Sequence, residues 1–515
     1  MSTATHVSKT DNPDELPRVL RALAVVERVG NALPHPFWLF WILSGILGVV
    51  SAILASNGVS VVSPADDKEV VVQNLLSGEG LAVAMENAID NFATFGPMGT
   101  IVVVMMGVAI AEKTGFLSSL MKVTISGVPT SWVIFAVAFA GTMSHVASAA
   151  AYVILVPLGG LAFHAVGKSP ILGVVVAYTS IASGYDASPI PTPNDAIFAG
   201  ITTEAAQIID PSAYVSPVSN WYINIASSLL LAIVITVVTK LVLAKRPDLD
   251  PDPDVAYDGR GLVMSGRERH ALWTTLGVLA LMGILTVAVM WPASSPLRGE
   301  GGSLTDSPFL QGMAAYVGVL FALAGIVYGW RCGAITAPAD VPKLMAEGVK
   351  QIAPVLVLFF AIAQFLAYFE WTHIGDVVAV QSAEMLKTTG VPIPVVFLFV
   401  LALLSVVNVL VTSGSAMWSI AAPVLVPALM LVAVPAETTQ ALFRIADSGS
   451  TSITPMSPYF ILALGFLQQY RKSAGIGTLA SYTLPLAVCM TLSWTVLFFL
   501  WWTLGIPLGP GAPVR

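Results

Sequence analysis

Arg444 and Asp447 stand three residues apart in a stretch, about 438–470, that is otherwise mostly apolar. A helix puts positions i and i+3 on one face. Two readings follow. The two residues form a structural ion pair, or Asp447 is a cation or proton site, sodium included, with Arg444 tuning it or holding a substrate carboxylate. Asp195, after Pro193-Asn194, is either a helix N-cap or a site residue. Asp186, in Ser183-Gly184-Tyr185-Asp186, is a site residue or a water-facing loop residue. Ser144 and His145 lie together in a tip rich in small residues, and a buried histidine there could titrate near neutrality. Ser413 and Ser415 offer hydroxyls in a second tip, with Asn408 at its approach. Trp418 either packs between helices or stacks on an aromatic substrate. His164 and Gln364 read as structural.

These residues are conspicuous because charge is scarce. The chain has 515 residues, 10% charged and 56% hydrophobic. An ordinary soluble domain carries roughly 25% charged residues, so a soluble enzyme, a nucleic-acid binder and a disordered chain are excluded. Cys332 and Cys489 are too few for a disulfide scaffold or a cysteine metal site. A polytopic membrane protein remains, with the lipid bilayer as its solvent. Ionisable groups inside a membrane are costly and are functional candidates by default. A nucleophile–base reading of Ser144-His145, or of Ser413 and Ser415, lacks any Gly-x-Ser-x-Gly elbow, and no His-Glu-x-x-His occurs. An intramembrane enzyme is therefore a remote alternative, no cofactor is expected, and an open channel suits dead-end hairpins poorly.

A crossing helix needs about 20 apolar residues. Phe37–Ser56, Phe95–Ala111, Ser219–Leu243, Ala271–Trp291, Phe309–Trp330, Gln351–Phe369 and Leu479–Trp502 meet that requirement. Four further stretches are interrupted, at about 130–166, 170–208, 392–434 and 438–470. The first and third turn at Gly141–Ser148 and Thr412–Ala416, and both descend into Leu-Val-Pro (Leu155–Pro157 and Leu425–Pro427). In the second and fourth, Ile181-Ala182 precedes Pro191 as Ile445-Ala446 precedes Pro455, with Ser183-Gly184 and Asp447-Ser448-Gly449 as the expected breaks. Irregular backbone cannot face lipid, so these breaks must be buried in protein or line a wet cavity.

With the N-terminus cytoplasmic and each hairpin entering and leaving by one face, 18 of the 23 Lys and Arg residues fall inside. The positive-inside rule then supports nine crossings, N-inside and C-outside; eleven crossing helices would leave the loop signs unchanged, so only the hairpin chemistry separates the two. One hairpin opens inward and the other outward, which is an inverted repeat with its site at the midplane. The fold expected is an all-α polytopic membrane protein with two re-entrant helical hairpins. The expected organisation is a cytoplasmic segment (1–36), scaffold helices (37–129, 209–243 and 271–391), and two hairpin-plus-broken-helix units forming a transport domain (130–208 and 392–470). A linker (244–270) and a C-terminal helix and tail (471–515) complete it. The linker carries Asp248, Asp250, Asp252, Asp254 and Asp258 and reads as solvated. It lacks the glycine and bidentate glutamate of an EF-hand loop.

Ser413-Gly414-Ser415-Ala416, Trp418, Ala422-Pro423 and Val426-Pro427 are followed by Arg444-Ile445-Ala446-Asp447-Ser448, Pro455 and Pro458-Tyr459-Phe460. The first half adds Ala151-Tyr152-Val153, Pro157, Gly184-Tyr185, Asp195 and Ala199-Gly200-Ile201-Thr202. This series resembles the aminobenzoyl-glutamate transporter (AbgT) family over nearly the whole chain. The resemblance implies an elevator-type, ion-coupled homodimer in the plasma (inner) membrane. It implies transport of p-aminobenzoyl-glutamate, related aromatic organic anions or folate-pathway antimetabolites such as sulfonamides, driven by sodium or protons. It also implies that Asp195, Trp418, Arg444, Asp447 and Pro455 are needed for transport. An ion-coupled dicarboxylate symporter is the alternative. The sequence departs from the family pattern where His145 replaces an asparagine of the first tip, where Asp186 is gained, and at Thr451. Hard cations prefer oxygen ligands, so the first departure favours proton coupling, or Asp186 as a substitute oxygen ligand.

Overall fold

The computed structural model describes residues 34, 36–62, 69–125, 128–147, 149–185, 187–252, 264–302, 307–409 and 411–515. The N-terminal segment as far as residue 33, and Asp254 and Asp258 of the linker, lie outside the described residues.

Helix α1 spans Pro36–Ser56 and leads to a small antiparallel pair, β1 (Ser60–Val62) and β2 (Glu69–Val71). Short helices α2 (Gly78–Glu86) and α3 (Ala88–Ala93) precede α4 (Gly96–Lys113) and α5 (Phe116–Ile125). The first hairpin is α6 (Val133–Met143), a 3-10 turn at Ser144–Ala147, and α7 (Ala149–Ala165). The first broken helix is α8 (Pro170–Ala182) and α9 (Pro193–Gln207), followed by α10 (Trp221–Leu241). The second half runs α11 (Gly266–Met290), α12 (Met313–Cys332), α13 (Asp340–Trp371) and α14 (Ile374–Thr389). Its hairpin is α15 (Ile393–Asn408) and α16 (Gly414–Met430), its broken helix is α17 (Ala436–Thr451) and α18 (Pro458–Tyr470), and α19 (Ile476–Leu504) closes the chain.

Seven helices among the described residues are long and apolar enough to cross a bilayer. They match the seven stretches read from the sequence, and the protein is a multi-pass membrane protein. Only 11% of the apolar window of α11 is buried in protein. An aqueous surface would not tolerate that much exposed apolar area, whereas hydrocarbon does. At 1.5 Å per residue the 11-residue α6 reaches only about 16 Å, so it turns back at its tip as a hairpin arm must.

Three differences from the sequence reading have physical causes. First, α13 begins at Asp340, eleven residues before the apolar stretch, because Lys343–Asp340 and Lys350–Glu347 pairs at i,i+3 support its polar first turns. Second, α17 continues through Asp447-Ser448-Gly449, and the break falls at 452–457 instead. Gly449 serves close packing: a Cβ there would lie 2.5 Å from Thr491 Oγ1. Ser448 reaches back to the Arg444 carbonyl at 2.8 Å, so its hydroxyl is accommodated within the continuous helix. Third, the described start of the linker is docked rather than solvated. Asp248 accepts two bonds from Arg246, at 3.0 Å each, and its carbonyl accepts from Arg471 (3.0 Å) and Tyr482 (2.8 Å). Ser169 donates to the Leu249 carbonyl, and Asp252 accepts from the Lys472 N–H. The bond from Arg246 holds the Asp248 carboxyl well below the usual carboxylate range.

Small residues let the framework helices approach closely. A Cβ on Gly107 of α4 would lie 2.0 Å from the Gly318 carbonyl oxygen of α12, a backbone contact of the kind that drives helix association in lipid. Each hairpin packs on its own half's broken helix, α6 and α7 on α8 and α15 on α17, while α9 packs on both α16 and α4.

Candidate substrate and cation site

Asp195 occupies the N3 position of α9, where Pro193 presets the first turn and Thr192 is the N-cap. Its Oδ2 accepts from the Thr192 N–H (2.6 Å) and hydroxyl (2.8 Å), completing a capping box. Asp195 is therefore not the N-cap expected from the sequence but the N3 partner of Thr192, and its Oδ1 lies 2.8 Å from Arg444 Nη1 of the opposite repeat. Arg444 is 1% exposed and Asp195 4%. The contact has ion-pair distance, yet Nε and Nη1 of Arg444 make no aligned hydrogen bond. A buried guanidinium whose Nε has no acceptor, and whose Nη1 meets Asp195 only as a misaligned ion pair, can take a further acceptor.

An aromatic box surrounds that guanidinium. The Phe198 ring lies 5.3 Å beneath it. Phe198 meets Phe443 edge-on at 5.2 Å, and Phe443 stacks on Trp418 at 4.5 Å. Trp418 is fully buried, so in this conformation its ring packs on Phe443 and presents no open face.

Asp447 lies one turn beyond Arg444 and is 2% exposed. Its Oδ2 sits beside the first turn of α16, 2.6 Å from where a Cβ on Gly414 would stand. The positive end of a helix favours an anion there. Ser413 caps that helix at the Ala416 N–H and faces Ser415 at 3.5 Å. Asn408 ends α15 and reaches α17. Its amide donates to the Asp447 carbonyl, to Ser450 (2.9 Å) and to Thr451 (3.3 Å). Its own carbonyl oxygen is buried without a hydrogen-bond partner, an oxygen available to a hard cation.

His145 is 3% exposed, bonded to the Ser180 backbone, with its ring edge-on to Tyr185 at 5.6 Å. Its Nε2 is buried without a partner. Ser144 donates to the Gly141 carbonyl at 2.7 Å, a local helix-end role. Asp186 lies outside the described residues. Pro455 is buried in the second break, where Thr454 donates to the Val409 carbonyl at 2.9 Å and so ties that break to the second hairpin tip. The two breaks meet where Ser183 bonds Ser452, and the Ser448 hydroxyl of α17 has both the Tyr185 and Arg444 carbonyls in reach of its single proton.

The structure thus gathers Asp195, Trp418 and Arg444 in one cluster, with Asp447, Asn408, Ser413 and Ser415 beside it and His145 at the first break. It adds Phe198, Phe443 and Gln440, and brings in Gly414 and Thr202, which the sequence showed only as parts of motifs and not as site candidates. Gln440 carried a signal, being a polar side chain one helical turn before Arg444 in an apolar stretch. Among the described residues no three His, Cys, Asp or Glu groups converge as metal ligands.

Comparison with known proteins agrees with this architecture. The model of the AbgT putative transporter family matches residues 21–515. The p-aminobenzoyl-glutamate transport protein of Escherichia coli (strain K12) is 36% identical over 488 residues, 94% of this chain and 95% of that protein. The solved structure of Neisseria gonorrhoeae MtrF, described among a class of antimetabolite efflux pumps, superposes with a TM-score of 0.90. It is 37% identical and covers 96% of this chain and 100% of its own. The Alcanivorax borkumensis YdaH transporter gives a TM-score of 0.86 at 34% identity, covering 93% and 100%. With a family match over nearly its whole length and full-length relatives of the same architecture, this chain belongs to the AbgT transporter family.

Proposed function

We propose that this protein is a secondary active transporter of aromatic organic anions of the p-aminobenzoyl-glutamate class, folate-pathway antimetabolites included, coupled to a proton or sodium gradient. One observation carries the reading. Arg444 is a buried cation paired on one side with Asp195, with its Nε donor unmet, held between two hairpin-and-break units. A carboxylate on a substrate supplies the acceptor that the guanidinium lacks, while Ser144, Ser413, Ser415, Trp418 and Pro455 close around the aromatic portion. Asp447, Asp195 and the Asn408 carbonyl supply oxygens for a cation, and where that cation is sodium Asp186 is the substitute oxygen ligand for the first site. His145, standing where a hard cation would need an oxygen ligand, favours the proton as coupling ion. The two hairpins and broken helices move as a transport domain against the remaining helices, in an elevator-type homodimer. The N-terminus faces the cytoplasm, the C-terminus lies outside, and the bilayer is the plasma (inner) membrane.

Reconstituted liposomes test this directly. Flux of p-aminobenzoyl-glutamate, a sulfonamide and a dicarboxylate is compared under imposed sodium or proton gradients. Gradient-driven flux of the aromatic conjugate supports the proposal, and dicarboxylate flux alone favours a dicarboxylate symporter. Sodium-driven uptake at fixed pH that is lost in His145→Asn contradicts proton coupling.

A further inference from the structure

Thr202 lies where α9, α16 and α17 meet, and its side chain is fully buried. A hydroxyl offers one donor and two acceptor positions, and all three are used. Thr202 donates to the Phe198 carbonyl at 2.6 Å. It accepts the Trp418 indole N–H at 2.9 Å and the Gln440 amide at 3.0 Å. Gln440 in turn accepts from Ser219, ahead of α10, at 3.3 Å. One hydroxyl therefore joins an element of the first repeat to two elements of the second. Both donors it receives are themselves fully buried. An indole has a single N–H, so loss of Thr202 Oγ1 leaves Trp418 without its bond.

The consequence reaches Arg444 through packing. Trp418 stacks on Phe443, Phe443 meets Phe198, and Phe198 lies beneath the guanidinium. We propose that Thr202 is a positioning residue for substrate recognition. Through Trp418 and Gln440 it fixes the aromatic box, and so holds the Arg444 guanidinium where a substrate carboxylate meets the donor that Asp195 leaves unmet. Phe443 directly precedes Arg444, and Gln440 stands one turn before it, so a shift of either is passed to Arg444 within one rigid helix. The inference rests on the transporter reading and adds a residue that touches no substrate.

The test is p-aminobenzoyl-glutamate flux in proteoliposomes of the wild type, Thr202→Val and Thr202→Ser. The valine variant keeps the bulk and removes the acceptor, and its KM rises about fivefold or more with the maximal rate changed less than about twofold. The serine variant restores KM to within about twofold of the wild type. In a Trp418→Phe background the effect of Thr202→Val on KM shrinks, because the two changes act through one bond. If Thr202→Val does not reach the membrane, Thr202→Cys takes its place, since a thiol fills the space but accepts weakly. An unchanged KM in the valine variant, a serine variant as impaired as valine, or additive effects with Trp418→Phe overturns the inference. A fall in rate and thermal stability at constant KM assigns Thr202 a purely structural role and overturns it as well. Wild-type protein without flux of this compound overturns the transport reading and the inference together, whereas wild-type flux with an unchanged KM in Thr202→Val overturns the inference alone.

Discussion

Replacing Gly414 by alanine puts a methyl group 2.6 Å from Asp447 Oδ2 and 3.4 Å from both Asp447 Cγ and Phe198 Cζ. Non-bonded heavy atoms settle about 3.5 Å apart, so the carboxylate must retreat by somewhat under about 1 Å. Asp447 is only 2% exposed and has little room to retreat. Overpacking of this kind costs about 1–3 kcal/mol. If that strain falls on the cation-bound state, each 1.4 kcal/mol is a tenfold loss, so the concentration of coupling cation giving half-maximal flux rises by about tenfold. The backbone at Gly414 has an ordinary helical entry, so no strain from glycine geometry confounds the result. The assay is flux in proteoliposomes titrated separately with sodium and with protons, using Gly45→Ala as the control because nothing lies within 4 Å of its added Cβ. A Gly414→Ala protein with unchanged cation dependence for both ions would refute the placement of a cation site at Asp447 against α16.

Three further outcomes follow from the same geometry. Gly449→Ala places a Cβ 2.5 Å from Thr491 Oγ1 and lowers the midpoint of thermal unfolding, with a cost of about 1–3 kcal/mol. Adding Thr491→Ala relieves the clash, and failure of that rescue contradicts the close helix contact. The Asp248 carboxyl is depressed by its bond from Arg246, so its contribution is present above the unfolded carboxylate pKa of about 3.9 and is lost as pH falls through and below it. Limited proteolysis of the linker should therefore be constant from neutral pH to about pH 5 and accelerate below about pH 4. Asp248→Asn makes the linker cleavable at neutral pH, at a cost of about 1 kcal/mol after discounting for partial exposure. Asp195→Asn retains part of the cap but removes the charge facing Arg444. Breaking a buried pair costs about 3–5 kcal/mol, seen as lower thermal stability at neutral pH that an Asp195→Ala variant does not improve.

Much of this fold was legible because hydrocarbon imposes simple rules. Seven long apolar runs became seven long helices, and the two hydroxyl-rich tips became the hairpin turns at Ser144–Ala147 and before Gly414. What failed were the places where glycine and serine admit two uses. Ser448-Gly449 was read as a break, but Gly449 makes room for Thr491 and Ser448 bonds its own helix. Charged first turns concealed the start of α13, and a capping box between Ser265 and Glu268 started α11 ahead of its apolar run. At the site, Arg444, Asp447 and Asp195 stood out because charge is scarce. The partnership of Arg444 with Asp195 did not, since 249 positions separate them and only tertiary packing brings the repeats together. Gln440 is visible as a polar residue before Arg444 and Thr202 as part of a motif, but their partnership was illegible for a related reason. Their value lies in a three-way meeting of helices that no local pattern records.

The central claim is that Arg444 receives the carboxylate of the transported anion. Binding of p-aminobenzoyl-glutamate to the purified wild-type protein and to Arg444→Lys measures it most directly. Lysine keeps the positive charge beside Asp195 but not the planar fork that grips a carboxylate through two bonds. A lost charge-assisted bond is worth about 1.5–3 kcal/mol, so Arg444→Lys stays folded and binds with a Kd at least about tenfold weaker. An unchanged Kd in that variant contradicts it.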